Sequence, residues 1–429
     1  MSAPFVETMY DAAAERVRFP LHVSTPAKRW MHRFGRLIAA ATAEMVESGR
    51  SLGFSGEEEE DDEVESAPKF LDALAAFLTR EYGSEVKREN LLQTSGSTYA
   101  LQALMSRFFP RDRAEVPVYV EQMTYFRTKA NLQQMGFQLR PIPIEVDGVN
   151  VEELERVWSR DLTPALVVNS TKTREFAAVL YIIPNFHNPL GMLTSEAKYA
   201  RIIELAHRFN VLVICDDVHT LLHHRGRPPS RLFAHEAAAT REHVVSLGSF
   251  SKLFAPALRV GWIEAGPRIR RHLEQNPFLS DSPAPSSFFA AALSLLLADG
   301  RAHEHLRLMR ADLAFKMSRA LRLLRAHLPP DCALPIVPNG GHLVFVRLPA
   351  RLRSAEVAAE LRKMCGIAVD DGQKAWTDGD ENLRSDRRIA NGLRVAVGFV
   401  EVADLDAALR EFCRLLWDHK KPMDLVAGE

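Results

Sequence analysis

Residues 178–216 read AVLYIIPNFHNPLGMLTSEAKYARIIELAHRFNVLVICD. Two apolar runs, Ala178–Ile183 and Val211–Asp216, frame one helical stretch. Both runs are nearly continuous, as strands covered on both faces are. The stretch between them, Thr194–Asn210, opens on Thr194-Ser195-Glu196, a cap with an acid in the first turn. Ala200, Ile203 and Ala206 follow at helical spacing. Strand, helix, strand is the building unit of a parallel sheet.

The alternation extends in both directions. Further strands are expected at Val116–Glu121, Gln138–Ile144, Ala165–Asn169, Val244–Gly248 and Val260–Glu264. The fold class is therefore α/β: a large domain with a mostly parallel seven-stranded sheet between helices. Then the pattern changes. Pro285–Leu328 reads as helical. A strand (Gly340–Leu348), a helix (Ser354–Met364), a strand (Leu393–Phe399) and an amphipathic helix with Leu405, Leu409, Phe412 and Leu416 follow. That is a smaller α+β domain. Ahead of the sheet lie an irregular arm, a helix near Trp30–Glu47, and the acidic run EEEEDDE at Glu57–Glu63. The run reads as a solvated loop insertion. The expected division is 1–50, arm and helix joined to the small domain; 51–290, large domain with the insertion at 57–65; and 291–429, linking helix and small domain.

Composition narrows the function. The 429 residues suffice for two or three domains. Lys plus Arg number 54 against 55 Asp plus Glu, a net charge of −1, which argues against nucleic acid as the main ligand. Cys215, Cys332, Cys365 and Cys413 are scattered, with no CxxC pair. That suggests no zinc site, no disulfide framework and a reducing compartment. The run Phe288–Ala298, broken by Ser294, is too short to span a membrane. Glu7, Asp11 and Glu15 count against a leader peptide. The expectation is a cytoplasmic protein with no metal, membrane or nucleic-acid partner.

Ligands of open α/β sheets bind beyond the carboxyl ends of the strands. Gln93–Thr98 opens a helix whose N-terminus could hold a phosphate, or is simply capped by its small residues. Asn188-Pro189-Leu190-Gly191 is a turn after a strand. Asp216 and Asp217 end a buried strand, where a carboxylate needs a cation or solvent. A protonated cofactor ring would serve, and so would a helix-capping role. Lys252 closes Ser249-Phe250-Ser251-Lys252, with Arg259 seven residues on. Burial there would favour the neutral, nucleophilic amine; a surface lysine is the alternative.

In this order the segments resemble the fold-type I pyridoxal-phosphate enzymes, the class I/II aminotransferases. The resemblance is greatest to the branch holding 2-aminoadipate, kynurenine and aromatic aminotransferases. It spans about Phe54 to Phe399 and rests on Thr94–Ser97, Glu121–Tyr125, Tyr181–Gly191, Asp216-Asp217 and Ser249–Lys252 with Arg259. It implies pyridoxal 5'-phosphate as cofactor, held by Lys252 as a Schiff base, with Lys252 as the catalytic acid and base. Asp216 would pair with the pyridine nitrogen and keep it protonated. Tyr125 would stack on the ring, and Asn188 would bond its 3-oxygen while reaching toward substrate. Ser97, Thr98, Ser249 and Arg259 would hold the phosphate. Arg394, in Leu393–Val397, would grip the substrate α-carboxylate. Pro338–Gly341 resembles a structural turn of the family.

Two positions depart from the family pattern. His219 stands where a tyrosine is usual, and its ionisation near neutral pH would alter the cofactor's titration. Phe54 stands where a tyrosine reaches the neighbouring subunit's phosphate.

The resemblance implies ping-pong transfer of an amino group from an L-amino acid to a 2-oxo acid such as 2-oxoglutarate. It also implies a homodimer with a shared active site. In the arm, which carries His22–Lys28, Trp30 and Arg33, an arginine could select an acidic side chain and Phe19 or Trp30 an aromatic one; the expected donors are aromatic, kynurenine or 2-aminoadipate-like amino acids. A C–S lyase, decarboxylase or racemase on the same scaffold is the alternative, as is a catalytically inactive relative. A regulator with a DNA-binding module is disfavoured. The roughly fifty residues before Phe54 are few for such a module and show no helix-turn-helix pattern.

Overall fold

Seven strands form the main sheet: β1 (Leu91–Thr94), β2 (Pro117–Glu121), β3 (Gln138–Ile142), β4 (Ala178–Ile182), β5 (Val211–Asp216), β6 (Val244–Ser249) and β7 (Gly261–Ala265). The structure is a computed structural model describing residues 17–48, 69–110, 113–162, 175–237, 242–276, 279, 286–379 and 386–419. The strand order is β1-β7-β6-β5-β4-β2-β3. Strands β2 to β6 pair in parallel, and β7 runs antiparallel to both β6 and β1. Every residue of β2, β4, β5, β6 and β7 is buried, which is why these strands read as unbroken apolar runs.

The expected strand Ala165–Asn169 lies outside the described residues, as do Phe54 and Glu57–Glu63. Among the described residues the seventh strand is β1, at the sheet edge. Its polar Gln93 and Thr94 disguise it as the head of the following helix, Ser97–Phe108. Strand β3 stops at Ile142, just before Pro143. Ile144–Glu145 pairs instead with Gly148–Val149. The crossover helix is Glu196–Phe209, but its buried face is Tyr199, Ile202, Leu205 and Ala206. Ala200 is exposed, so the expected stripe was rotated by about one residue.

The smaller sheet is antiparallel: β8 (Leu343–Arg347), β9 (Asp370–Asp371) and β10 (Gly392–Ala396), in the order β8-β10-β9. Helix Ser354–Cys365 packs on it, and helix Val402–Asp418 packs on that helix and on helix Arg301–His327. Leu405, Leu409, Phe412 and Leu416 are all fully buried, as their spacing predicts. The N-terminal arm joins this region. Phe19–Pro20 pairs in parallel with Ile367–Ala368, and Ala396 N–H donates to Leu21 O at 2.6 Å. Helix Lys28–Glu47 packs on helix Ser287–Ala298, and Phe34 stacks on Phe254 with centroids 4.5 Å apart. Among the described residues, no helix is long and apolar enough to cross a membrane.

Candidate active site

The carboxyl ends of β1, β2, β4, β5 and β6 open on one edge of the sheet, and β7 starts there. Ser97, Tyr125, Asn188, Asp216 and Lys252 each lie at or just after one of these ends. Topology therefore gathers side chains that are up to 155 residues apart (97 to 252) in the chain.

At the β1 end, Gly96 takes φ +97°, a value side chains resist. A Cβ there would come within 2.9 Å of Arg259 Nη2. That close approach seats the guanidinium over the N-terminus of helix Ser97–Phe108. Arg259 Nη1 donates to Ser251 Oγ at 3.1 Å and Nη2 to Ser95 O at 2.9 Å. Ser249 Oγ donates to Ser251 Oγ at 3.0 Å. Ser97 is half-buried and Thr98 exposed. The result is an open cradle of hydroxyls, helix amides and one guanidinium, a donor set suited to phosphate.

At the β5 end, Asp216 is buried and forms no ion pair among the described residues. Burial pushes its pKa up to about 6, opposed by the Tyr181 hydroxyl, which donates to Oδ2 at 2.6 Å. Asp217 is the scaffold acid. It accepts from Ser246 Oγ at 2.6 Å and Thr220 Oγ1 at 3.0 Å. His219 is buried, with neither ring nitrogen in a well-formed hydrogen bond. Burial, then the Lys252 charge, lowers its pKa well below the ordinary histidine value. The expected ionisation near neutral pH is therefore removed, because the cavity disfavours a second cation.

His342, absent from the sequence expectation, sits 6.3 Å from His219, centroid to centroid. It too is buried with both nitrogens unsatisfied, and burial beside Lys252 lowers its pKa to about 3. Gly398 makes room for it, since a Cβ there would lie 2.1 Å from Nδ1.

Lys252 is partly exposed, and its Nζ donates to Ser24 O at 2.6 Å. Burial of its surroundings and the Arg394 charge lower its pKa to about 8, while Asp216 opposes. Arg394 is buried and donates through Nη1 to Asn188 Oδ1 at 3.1 Å and through Nη2 to His22 O at 2.7 Å. It also pairs with Asp370. Tyr125 leads into helix Phe126–Gln134. Burial raises its hydroxyl pKa, and it feels the charges of Arg127, Arg394, Asp216 and Asp370. All the expected site residues therefore line one region. Tyr181, Ser251, His342, Asp370 and the arm carbonyls of His22 and Ser24 join them. Of these, Tyr181 and Ser251 lie in the motifs, and His22 and Ser24 in the arm already named for substrate choice.

A separate cluster, His207, Glu236 and His243, brings three potential metal-ligand atoms within 4.8 Å of one another. The Glu236 carboxylate is already held there by His207 Nε2 at 2.9 Å and by the amides of His243 and Val244. It works as a loop clasp.

Residues 39–397 match the family model for aminotransferase class I and II. The chain belongs to this family. Among curated relatives, the aromatic-amino-acid aminotransferase 1 of Thermococcus litoralis is 27% identical, over 72% of this chain and 70% of its own length. The 2-aminoadipate transaminase of Thermus thermophilus is 30% identical over 66% of each chain. The HTH-type transcriptional regulator YisV of Bacillus subtilis is 27% identical over 75% of this chain. The match spans only 59% of that regulator's length, and 57% and 53% of two further HTH-type regulators. Among solved structures, an archaeal alanine:glyoxylate aminotransferase superposes with a TM-score of 0.76 at 22% identity, covering 93% of this chain and 91% of that one. The α-aminoadipate aminotransferase of Thermus thermophilus gives 0.74 at 23%, covering 93% and 92%.

The cofactor of the family is pyridoxal 5'-phosphate, and the residues of this chain fit it. The buried Asp216 forms no ion pair among the described residues, and a protonated pyridine nitrogen would supply one. One ring nitrogen of His219 and the Asn188 amide nitrogen could donate to a ring oxygen. The cradle at Gly96, Ser249 and Arg259 suits a phosphate.

Proposed function

We propose that the chain is a pyridoxal-phosphate-dependent transaminase. It moves an amino group from an L-amino acid to a 2-oxo acid such as 2-oxoglutarate, in two half-reactions with ping-pong order. The observation that carries this reading is that Lys252 and Arg394 meet on one stretch of the arm, donating to Ser24 O and His22 O, with Asp216 close enough for its charge to act on Lys252. When bound, the cofactor withdraws electrons from the substrate α-carbon and carries the amino group between half-reactions.

The chain's own residues do the rest. Lys252 Nζ, with a pKa near 8, is part neutral at physiological pH and takes the α-proton. Asp216 holds the proton on the ring nitrogen. Ser97, Thr98, Ser249 and Arg259 fix the phosphate, Tyr125 covers the ring face, and Asn188 and His219 orient the ring oxygen. Arg394 binds the α-carboxylate and so aims the α-hydrogen at Lys252. Two copies would share the site as a homodimer.

The donors are aromatic, kynurenine or 2-aminoadipate-like amino acids. The relatives that support this are an aromatic-amino-acid aminotransferase and a 2-aminoadipate transaminase. A donor screen with 2-oxoglutarate as acceptor tests it: turnover confined to other amino acids would refute the substrate class. A second reading, an aminotransferase-like sensor, is favoured by the matches to HTH-type regulators. A sensor would bind amino acid without releasing a 2-oxo acid.

A further inference from the structure

Asp370 opens β9, and the ladder sets it directly opposite Arg394 of β10. Facing residues of neighbouring strands share one side of the sheet, so the two side chains meet. Their side chains are 14% and 7% exposed. Asp370 Oδ2 accepts from Arg394 Nη2, the same nitrogen that donates to His22 O. A guanidinium grips a carboxylate through two adjacent nitrogens. The end-on fork uses Nη1 and Nη2, and the side-on fork uses Nε and Nη2. Both need a hydrogen of Nη2, and its two hydrogens go to Asp370 and to His22 O, so neither fork is free while Asp370 stays in place beside the arm. Nη1 is meanwhile on Asn188, and Nε is buried without a partner. Asp370 also has somewhere else to go. Its Oδ1 lies 4.0 Å from Lys374 Nζ, and the Lys374 side chain is 56% exposed.

We propose that Asp370 is a resident competitor for the substrate α-carboxylate, which must displace it from Arg394, and that Lys374 then receives it. The proposal rests on the reading of Arg394 as the carboxylate-binding residue. A tethered carboxylate competes at a high effective concentration. The apparent affinity for any carboxylate ligand is then reduced by the fraction of molecules in which Asp370 has left Arg394. Asp370 thus sets a threshold: a ligand needs side-chain contacts beyond its carboxylate to hold the site. Simple amines, with no carboxylate, leave the pair closed.

The test uses cofactor-loaded protein and 3-phenylpropanoate, a carboxylate without an amine, titrated by calorimetry. Asp370→Asn should bind it about tenfold tighter, because the closed state is lost. Lys374→Ala should bind it about threefold more weakly, because the displaced carboxylate loses its partner. A gain in affinity is not a result that poor folding produces, and Asp370→Ser serves as a second variant read in the same way. Unchanged or weaker binding in both Asp370 variants would overturn the proposal, as would unchanged or tighter binding in Lys374→Ala. Arg394→Ala separates the two readings. If it binds the probe as tightly as the wild type, the assignment of Arg394 fails. If it binds weakly while the Asp370 variants match the wild type, only the competitor fails.

Discussion

The Tyr181 hydroxyl donates to the Asp216 carboxylate across 2.6 Å, with both side chains buried. Thr128 Oγ1 lies 3.2 Å from the same hydroxyl and fixes its direction. Asp216 thus stays ionisable in a place where burial alone would neutralise it. Tyr181→Phe should raise the Asp216 pKa further and lower kcat about tenfold, the loss of one charge-assisted hydrogen bond. Steady-state kinetics across pH 5–8 check this. Unchanged kcat would mean that Asp216 needs no such support.

The Lys252 amine, lowered to about 8, should govern cofactor uptake. The rate at which cofactor-free protein takes up pyridoxal phosphate should rise through a midpoint near pH 8, well below that of an ordinary lysine. The sign for stability follows. Between about 8 and 10.5 the unfolded chain binds more protons at this group than the folded one, so its contribution to stability rises with pH there. Stopped-flow uptake from pH 6 to 10 measures the midpoint.

His342 titrates in the opposite region. Its folded pKa of about 3 lies below the ordinary 6.5, so the unfolded state binds the extra proton. The folded cofactor-free protein should therefore lose about 1.4 kcal/mol per pH unit from this residue as pH falls below 6.5. His342→Phe should flatten that slope in urea titrations at pH 7 and pH 5. An equal slope in the variant would place the acid sensitivity elsewhere.

His219 stays neutral through the physiological range, because burial and the Lys252 charge oppose its protonation. The visible absorbance of the cofactor-loaded wild type should show no added transition between pH 6 and 7. His219→Tyr should shift the titration that is present, since a phenol replaces an imidazole as the ring-oxygen donor. Superimposable titrations would remove His219 from the site.

Gly96→Ala should weaken cofactor affinity by about tenfold or more, since it strains a left-handed backbone and displaces Arg259. Equilibrium dialysis with pyridoxal phosphate reads the change. Affinity equal to the wild type would show that Arg259 does not depend on this approach.

Much of this was readable in the chain. Strands β2, β4, β5 and β6 are buried on both faces, so their composition reports their place directly. Edge strands obey weaker rules, and β1 with its Gln93 and Thr94 passed for a helix start. The motif residues stand at or just after strand ends, where the strand–helix pattern of the chain puts them. His342, Asp370 and the arm carbonyls were not legible in this way. They arrive from the small domain and the N-terminal arm, brought in by the pairings of Phe19–Pro20 with Ile367–Ala368 and of Asp370 with Arg394 and by the Val397 N–H bond to His342 O. No local pattern marks a residue whose role depends on a strand elsewhere. The ionisation of His219 was misread for a related reason, since desolvation is a property of the assembled cavity.

The most direct test is a single half-reaction. Cofactor-loaded protein is mixed with excess L-phenylalanine or L-2-aminoadipate, followed spectrally, and then given 2-oxoglutarate. The account predicts conversion to the pyridoxamine-phosphate form, its reversal by the 2-oxo acid, and loss of both in Lys252→Ala. Wild-type rates in Lys252→Ala, or an unchanged wild-type spectrum with every amino acid tried, would contradict it.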